Sequence, residues 1–261
     1  MLIRQWQEQG YIVVPQLFDS HCTDKLQVIC ERIKQQWIQS KYGGIQKPTK
    51  KNVANLTAPQ YFKEGYEDLV YLLGAIADKQ ILTILNSISD RHIIFNDAQY
   101  FFEPIGTSWC GDWHRDGQAI ALSDSIEQER IATSSFIRVH LALVPENLLE
   151  IVPGSHSRWD TPEELAIRKS LHGKQSDEAI EGATTISLQK GDAVFFDGYS
   201  IHRGNYFANV PRKMLALLYG SAVDWFTPPR TCFDNSTILD LLPEEQRAFF
   251  YKLITAYEYR W

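Results

Sequence analysis

The sequence contains no apolar run that approaches the roughly 18 residues of a membrane-spanning helix. Its opening, MLIRQWQEQGYIVVP, carries charges and lacks the apolar centre of a secretory signal peptide. Only four residues are cysteine, and no two of them have the Cys-x-x-Cys spacing of a redox or zinc motif. We therefore expect a cytoplasmic protein with no membrane partner and with reduced thiols at Cys22, Cys30, Cys110 and Cys232. A disulfide between the first two has no positive support in the sequence.

An excess of positive charge is also missing. The chain has 26 lysine and arginine residues against 32 aspartate and glutamate residues, which gives a formal net charge of −6. A protein that binds nucleic acid independently of sequence normally has a basic face, so no nucleic-acid partner is expected. The small cluster of Lys47, Lys50 and Lys51 is more typical of a solvent-exposed loop than of a binding patch.

Repeats, low-complexity tracts and Pro/Gly/Ser-rich linkers are absent too, which favours a single domain over residues 1–261. We expect its first part, 1–90, to be mainly helical and its last part, 223–261, to be a helical C-terminal extension. The loop-like segment 41–60 could form a lid. Apolar residues at helical spacing predict helices at 20–40, 66–88 and 243–261.

The part from 91 to 222 has a different pattern. Short runs rich in β-branched and aromatic residues alternate with turn signals such as Pro153-Gly154 and Lys190-Gly191. The predicted strands are 92–102, 135–144, 148–153, 184–188, 192–196 and 212–220. This spacing is typical of an antiparallel sandwich or barrel. We therefore expect a mixed α/β fold with a mainly antiparallel β core, flanked by N-terminal and C-terminal helices.

The segment GDWHRDGQAI, residues 111–120, places His114 and Asp116 two positions apart. Side chains at i and i+2 share one face of a strand, so this pair has the spacing of a two-point metal grip. The same pattern is also common as an ordinary surface pair, so a third ligand is decisive. His202, in GDAVFFDGYSIHRG, is the strongest candidate. Two imidazoles and one carboxylate form the facial triad of non-haem Fe(II) oxygenases, although zinc hydrolases use the same ligand types.

Arg212 begins the last predicted strand, ten positions after His202 in the sequence. An arginine fork pairs with a carboxylate through two parallel hydrogen bonds and stays charged at any working pH. With period 2, Arg212 shares a face with Met214, Ala216 and Leu218, which gives a cationic anchor above an apolar slot. This arrangement suits a linear diacid whose keto-acid end chelates iron. A surface arginine in a salt bridge is the alternative.

These residues resemble those of the phytanoyl-CoA dioxygenase family of Fe(II)/2-oxoglutarate oxygenases. The resemblance rests on His114-Arg115-Asp116, on EIVPGSHSRW at 150–159, on KGDAVFFDGYSIHRG at 190–204 and on Arg212. The opening QEQGYIVVPQLFDSHCTDKL, at 7–26, is similar to the start of that family. The motifs stand in the family's order and span nearly the whole chain.

The resemblance implies a double-stranded β-helix, a jelly-roll or cupin-like fold. It also implies iron ligands at His114, Asp116 and His202, and a role for Arg212 in holding the C5 carboxylate of 2-oxoglutarate. Gln99 resembles a family glutamine near this cosubstrate, although it could equally pair with a neighbouring strand. Because related halogenases have glycine or alanine in place of Asp116, the resemblance implies a hydroxylase-type enzyme.

Two departures from the family pattern lie where the primary substrate should enter. The segment VPENLLEIVPGSH, at 144–156, is compressed, and His140 stands where the family usually has tryptophan. If the other face of its strand is core, Arg138 and His140 point into the barrel, and a buried guanidinium needs an anion. We therefore expect Arg138 to bind a substrate carboxylate with His140 nearby, or else to form an ion pair with an internal acidic residue. Trp113 could wall the pocket or could simply pack.

The sequence thus predicts an Fe(II)- and 2-oxoglutarate-dependent oxygenase that consumes dioxygen and releases succinate and carbon dioxide, with ascorbate as a possible reductant. The expected substrate is a small polar metabolite or natural product that bears a carboxylate and is hydroxylated, or hydroxylated and thereby dealkylated. A metal-dependent hydrolase on the same three ligands and a catalytically silent jelly-roll binding module are the alternatives.

Overall fold

The computed structural model describes residues 2–89, 91–116, 123–133, 135–221 and 236–258. The strands of this part of the chain are β1 Tyr11–Val14, β2 Asn52–Val53, β3 Ile94–Phe102, β4 Phe136–Ala142, β5 Glu146–Ile151, β6 Thr184–Leu188, β7 Ala193–Asp197, β8 His202–Gly204 and β9 Lys213–Gly220. Its α-helices are α1 Leu2–Gln9, α2 Ser20–Tyr42, α3 Glu67–Ile76, α4 Lys79–Ile88, α5 Asp124–Thr133, α6 Pro162–Arg168, α7 Ser236–Leu239 and α8 Glu244–Glu258.

The strands form two antiparallel sheets. The larger sheet has the order β1-β7-β4-β9-β3-β2, and the smaller sheet has the order β6-β5-β8. From β3 onward the chain passes repeatedly from one sheet to the other, which is the winding of a jelly roll. The predicted mixed α/β fold with a mainly antiparallel, jelly-roll core is therefore confirmed.

The space between the two sheets is filled by alternate residues of the strands. One apolar cluster combines residues of the larger sheet with residues of the smaller sheet: Ala142, Leu149, Ile151, Ile186, Leu188, Val194, Phe196 and Met214. The side chains of Val139, Leu215 and Leu217 point the other way and pack in the main core with helix residues such as Leu26 and Phe250. The period-2 alternation of a strand thus assigns the even-numbered residues of β4 and β9 to the barrel interior.

The prediction of one helix over 66–88 is wrong, because the chain forms α3 and α4 with a break between them. Asp78 adopts an extended conformation at the break, and its side chain accepts a hydrogen bond of 2.8 Å from the backbone N–H of Gln80. An aspartate that caps the first turn of a new helix satisfies a backbone donor that would otherwise lack a partner. The apolar periodicity continues across this break, so periodicity alone does not reveal it.

The other predicted helices are present as α2 and α8, although 259–261 lie outside the described residues. Asp19 caps α2 by accepting a hydrogen bond from the backbone N–H of Cys22, and Gly43 ends the helix with φ +62°. Within the lid candidate 41–60, β2 pairs with β3 at the edge of the larger sheet. The lid itself stays a prediction.

The thiols of Cys22, Cys30 and Cys110 are free, while Cys232 lies outside the described residues. Within the described ranges no helix has the length and apolar character needed to cross a membrane.

Candidate metal centre

The segment that contains His114 runs beside β8 at the edge of the smaller sheet. His114 and His202 exchange two backbone hydrogen bonds of 3.0 Å, and Trp109 pairs with Tyr206 in the same way further along. The backbone N–H of Asp116 donates to Gly198 O at 2.7 Å. These bridges keep the segment extended, although it is not a regular strand.

The three predicted metal ligands come together at this point. One ligand atom from each of His114, Asp116 and His202 lies within 4.8 Å of the other two. The two imidazole rings are 4.3 Å apart between centroids. The structure therefore brings the residues predicted from the sequence into a single cluster of metal-binding size.

Each of the two imidazoles is hydrogen-bonded through Nδ1, and Nε2 is the free nitrogen in both. His114 Nδ1 lies 2.8 Å from the carbonyl oxygen of Asp112, and His202 Nδ1 lies 2.9 Å from that of Ser200. A carbonyl can only accept, so Nδ1 carries the proton in each ring and Nε2 keeps its lone pair. Burial lowers the pKa of His114 and lowers the pKa of His202 to about 3. Both rings are therefore neutral at neutral pH, as metal ligation requires.

Asp116 supplies the negative charge of the cluster. Burial raises the pKa of its carboxyl, but the guanidinium of Arg138 and the two nearby imidazoles together outweigh this effect and hold the pKa below its ordinary value. Arg138 Nη2 donates to Asp116 Oδ1 at 2.7 Å, and Arg138 Nε donates to Oδ2. Each carboxylate oxygen retains a further lone pair for a metal. Two neutral imidazoles and an ionised carboxylate fit Fe(II) on one side of its coordination sphere.

Arg138 therefore forms the internal ion pair that was the second of its two predicted roles. Its partner is the acidic ligand itself, and the side chains are only 14% and 10% exposed. With two guanidinium nitrogens committed to Asp116, the expectation that Arg138 binds a substrate carboxylate receives no support from the geometry.

Arg212 is fixed between two aromatic rings. Its guanidinium carbon lies 4.6 Å from the ring centroid of Tyr206 and 5.3 Å from that of Phe101. Arg212 Nη1 donates to Asn205 O at 3.1 Å, and Nε faces the carboxylate of Glu146 at 3.5 Å. The side chain is 2% exposed, so it is a buried, pre-oriented cation and not a surface arginine.

Gln99 lies on the interior face of β3, opposite Ala216 of β9. Its Nε2 donates to Asp97 Oδ2 at 2.9 Å, and its Oε1 lies 3.5 Å from Asn52 Nδ2 on the adjacent strand β2. The amide is thus engaged by its neighbours, which favours the strand-pairing alternative over cosubstrate contact.

His140 faces the barrel interior, with its ring against Phe101 and Phe196. It is 4% exposed, and neither ring nitrogen has a hydrogen-bond partner among the described residues.

Trp113, predicted as a possible pocket wall, lies outside the site. Its indole is fully buried with Val152 and Ile201, and its Nε1 donates to Glu178 O at 2.7 Å. The cause is the extended backbone, which points neighbouring side chains in opposite directions. Because His114 faces the centre, Trp113 faces away, so the geometry favours the alternative that Trp113 simply packs and gives no support to the predicted substrate contact.

A buried ionic network behind the centre was not predicted. Arg115, between the two ligands, donates to Asp160 Oδ1 from Nε at 2.9 Å and from Nη2 at 2.6 Å. Arg168 donates to the other oxygen of Asp160 at 2.8 Å and to Glu127 at 2.8 Å. The alternation places Arg115 opposite the ligands, but nothing in the spacing identifies a partner 45 positions away.

Lys51 was interpreted as part of a solvent-exposed loop, and the structure places its ammonium close to Tyr206 and His114. Its ammonium lies 4.3 Å from the ring centroid of Tyr206, and its charge contributes to the lowered pKa of His114, after burial as the main cause. The sequence does not indicate this position, because Lys51 and Tyr206 come together only in the folded chain.

The sequence profile of the family described as phytanoyl-CoA dioxygenase (PhyH) matches residues 6–207. No curated protein matches the chain.

Solved structures share its fold at low identity. EctD from S. alaskensis, crystallised with 2-oxoglutarate and 5-hydroxyectoine, has a TM-score of 0.63 and 15% identity over 94% of this chain and 85% of its own. HygX from Streptomyces hygroscopicus, with nickel and 2-oxoglutarate bound, has a TM-score of 0.61 and 12% identity over 88% of each chain. The epimerase SnoN, in complex with Fe3+, alpha ketoglutarate and nogalamycin RO, has a TM-score of 0.56 and 16% identity over 92% of this chain and 88% of its own.

Proposed function

Because the chain belongs to the phytanoyl-CoA dioxygenase family of Fe(II)- and 2-oxoglutarate-dependent oxygenases, we propose that His114, Asp116 and His202 hold its iron and that Arg212 holds its cosubstrate. Family membership sets aside the alternatives of a hydrolase and of a catalytically silent binding module. The roles of the individual residues and the choice of substrate are the content of the proposal.

One observation carries these assignments: ligand atoms of His114, Asp116 and His202 lie within 4.8 Å of one another, and each imidazole is held through Nδ1, which leaves Nε2 for a metal. Three ligands on one side of an octahedral metal leave three positions for 2-oxoglutarate and dioxygen. The guanidinium of Arg212 is a fixed, permanently charged partner for the far carboxylate of a diacid. A hydrolase would have no use for this buried cation.

Iron and 2-oxoglutarate together supply the oxidation of a substrate C–H bond by dioxygen, with release of succinate and carbon dioxide. The protein contributes orientation and a dry enclosure. Arg138 holds the carboxylate of Asp116 in place, and the carbonyl oxygens of Asp112 and Ser200 fix the planes of the imidazole rings. Arg212 orients 2-oxoglutarate by its C5 end.

For the substrate we propose a small polar metabolite or natural product that carries a carboxylate and is hydroxylated, or hydroxylated and thereby dealkylated. Since Arg138 is committed to Asp116, the cation that supports this substrate class is Lys51, whose ammonium lies 4.3 Å from the ring centroid of Tyr206. No ion pair occupies Lys51 within the described ranges.

The proposal treats residues 1–261 as one functional unit in the cytoplasm. Residues of α2, α3, β3, β9 and α8 contribute to a single apolar core, which supports one domain over independent ones. Free thiols at the three described cysteines suit a reducing compartment.

The test is an anaerobic titration of metal-free protein with Fe(II) and then with 2-oxoglutarate, followed by the weak visible charge-transfer band of the chelate. Wild type should develop the band. Arg212→Ala should lose it at the same cosubstrate concentration, while Arg4→Ala, at an exposed helix position, should keep it. Iron binding without a band would overturn the cosubstrate role, and failure to bind iron would overturn the ligand set.

A further inference from the structure

His140 is a buried polar side chain with nothing to bind. Its ring lies 6.0 Å from the ring centroid of Phe101 and 4.9 Å from that of Phe196. It is 4% exposed, and neither Nδ1 nor Nε2 has a hydrogen-bond partner in the described part of the chain. A buried polar group left without a partner destabilises the fold, because it has lost its hydrogen bonds to water and gained none in return. A side chain of this kind on the interior face of a barrel indicates a ligand that supplies the missing partner.

The position of His140 defines which ligand this is. Phe101, one neighbour of the imidazole, also lies under the guanidinium of Arg212 at 5.3 Å. Phe196, its other aromatic neighbour, lies 5.0 Å from the ring of His202. His140 therefore shares one aromatic neighbour with the cationic anchor and another with a proposed metal ligand.

His140 is a neutral imidazole, which can donate a hydrogen bond to an anion although it carries no positive charge. Burial, followed by the positive charges of Arg138 and Arg212, lowers the pKa of His140 well below its ordinary value. A neutral imidazole has one N–H donor and one acceptor nitrogen.

The guanidinium of Arg212 does not have enough free N–H groups to satisfy every lone pair of a bound carboxylate. Its Nη1 already donates to Asn205 O, and its Nε faces Glu146. The fork is thus only partly available, whereas a carboxylate offers about four lone-pair sites. The C1 carboxylate and the keto oxygen are the chelating atoms, so the C5 carboxylate is the end that needs a second donor.

We propose that His140 donates its ring N–H to the C5 carboxylate of 2-oxoglutarate and shares this carboxylate with Arg212. The inference rests on the proposed function and changes one sequence-based assignment, in which His140 contacts the primary substrate. It makes His140 a determinant of cosubstrate affinity and of selectivity for a dicarboxylic 2-oxoacid.

The test compares two ligands and three variants in anaerobic titrations of the iron-loaded protein. The ligands are 2-oxoglutarate and 2-oxopentanoate, which has the same chelating end but no C5 carboxylate. His140→Phe keeps an aromatic ring and removes the donor, whereas His140→Gln and His140→Asn place an amide N–H near Nε2 and Nδ1 respectively. The dissociation constant for Mn(II), measured by calorimetry, serves as the control for an intact metal centre.

We expect His140→Phe to weaken 2-oxoglutarate binding by about 10-fold or more, as the loss of a hydrogen bond to a charged group implies. The affinity for 2-oxopentanoate should change little, and one of the two amide variants should recover most of the loss. Unchanged binding of 2-oxoglutarate by His140→Phe would overturn the inference. An equal loss for both ligands would also overturn it, because the effect would then concern the chelating end.

The result for wild type shows whether a negative outcome concerns the proposed function or only the role of His140. If wild type binds iron but neither ligand, the proposed function fails and the inference fails with it. If wild type binds 2-oxoglutarate normally and only the His140 comparison is negative, the inference alone fails. If His140→Phe does not fold, His140→Met, with a flexible apolar side chain, provides the same comparison.

Discussion

At the scale of single residues, the position of Asp116 depends on the absence of a side chain at Gly198. A Cβ at Gly198 would lie 2.5 Å from Asp116 Oδ2 and would overlap the ring of Phe136. The backbone carbonyl of Gly198 also accepts the hydrogen bond from Asp116 N–H. Two features of one glycine therefore hold the acidic ligand against Arg138.

Gly198→Ala should displace the carboxylate of Asp116 and weaken Fe(II) binding by about 10-fold or more. A 10-fold loss of affinity corresponds to about 1.4 kcal/mol. Gly74→Ala is the matched control, because a Cβ there meets only the side chain of Gln246 at 3.6 Å. Titration calorimetry with Mn(II) measures both variants. Equal metal affinity in the two variants would show that the space beside Asp116 is not required.

The buried histidines make the stability of the metal-free protein depend on pH. His114, His140 and His202 have pKa values below the ordinary value, chiefly because of burial. Below about pH 6.5 the unfolded chain binds protons that the folded chain does not bind, so each histidine contributes stability that is lost as the pH falls. Buried carboxyls have the opposite effect: burial raises the pKa of Asp197 to about 7.

A comparison with His140→Phe isolates one histidine from these opposing effects. Between pH 7 and pH 5 the free energy of unfolding of the variant should rise relative to wild type, by up to about 1.4 kcal/mol per pH unit. Urea unfolding of chelator-treated proteins at the two pH values measures this change. A difference between variant and wild type that is the same at both pH values would contradict the neutral state of His140.

At the scale of secondary-structure elements, alternation and turn residues predicted the strands well. The runs 184–188 and 212–220 match β6 and β9 to within one residue, because their period-2 pattern reflects burial between two layers. The short strand β8 and the extended segment at 109–116 were not predicted, since their pairing is set by distant partners such as the His114–His202 bridge. Spacing and the family resemblance predicted the candidate ligand set, and an internal ion pair was one of the two predicted roles of Arg138, but the sequence did not identify Asp116 as its partner.

The segment 109–116 lacks the support of a regular strand, and the network around Asp160 replaces that support. The side chain of Asp160 is fully buried and accepts hydrogen bonds from Arg115 and Arg168. Within the described ranges, removal of the charge would leave the guanidiniums of Arg115 and Arg168 with the carboxylate of Glu127 as their acidic hydrogen-bond partner.

Asp160→Asn should therefore lower the free energy of unfolding by about 3–5 kcal/mol, the usual effect of breaking a buried ion pair. The same variant should also weaken metal binding, because Arg115 lies between His114 and Asp116 and connects the network to both. Glu163→Gln, at a side chain that is 69% exposed, should change stability by less than about 1 kcal/mol. Urea unfolding of the metal-free proteins and Mn(II) calorimetry provide the two measurements. A variant as stable as Glu163→Gln would refute the supporting role of the network.

At the scale of the whole molecule, the two sheets contribute different parts of the site. The proposed metal ligands belong to the smaller sheet and its edge segment, through His202 in β8 and His114 beside it. The proposed anchor Arg212 directly precedes β9 of the larger sheet. A 2-oxoglutarate molecule bound at both ends would therefore connect the two sheets across the barrel, whereas the metal alone would bind to one of them.

This arrangement predicts that the metal ion and 2-oxoglutarate stabilise the fold in a fixed order, with the metal first. Each ligand at 100 times its dissociation constant should add about 2.7 kcal/mol, or about 5–10 °C in Tm for a chain of this size. Because 2-oxoglutarate chelates the metal, it should raise Tm only after a metal such as Mn(II) has bound. Arg212→Ala should keep the increment from the metal and lose the one from 2-oxoglutarate, as measured by calorimetric unfolding with and without each ligand. A 2-oxoglutarate increment of normal size in Arg212→Ala, or in metal-free wild type, would mean that the cosubstrate does not connect the two sheets.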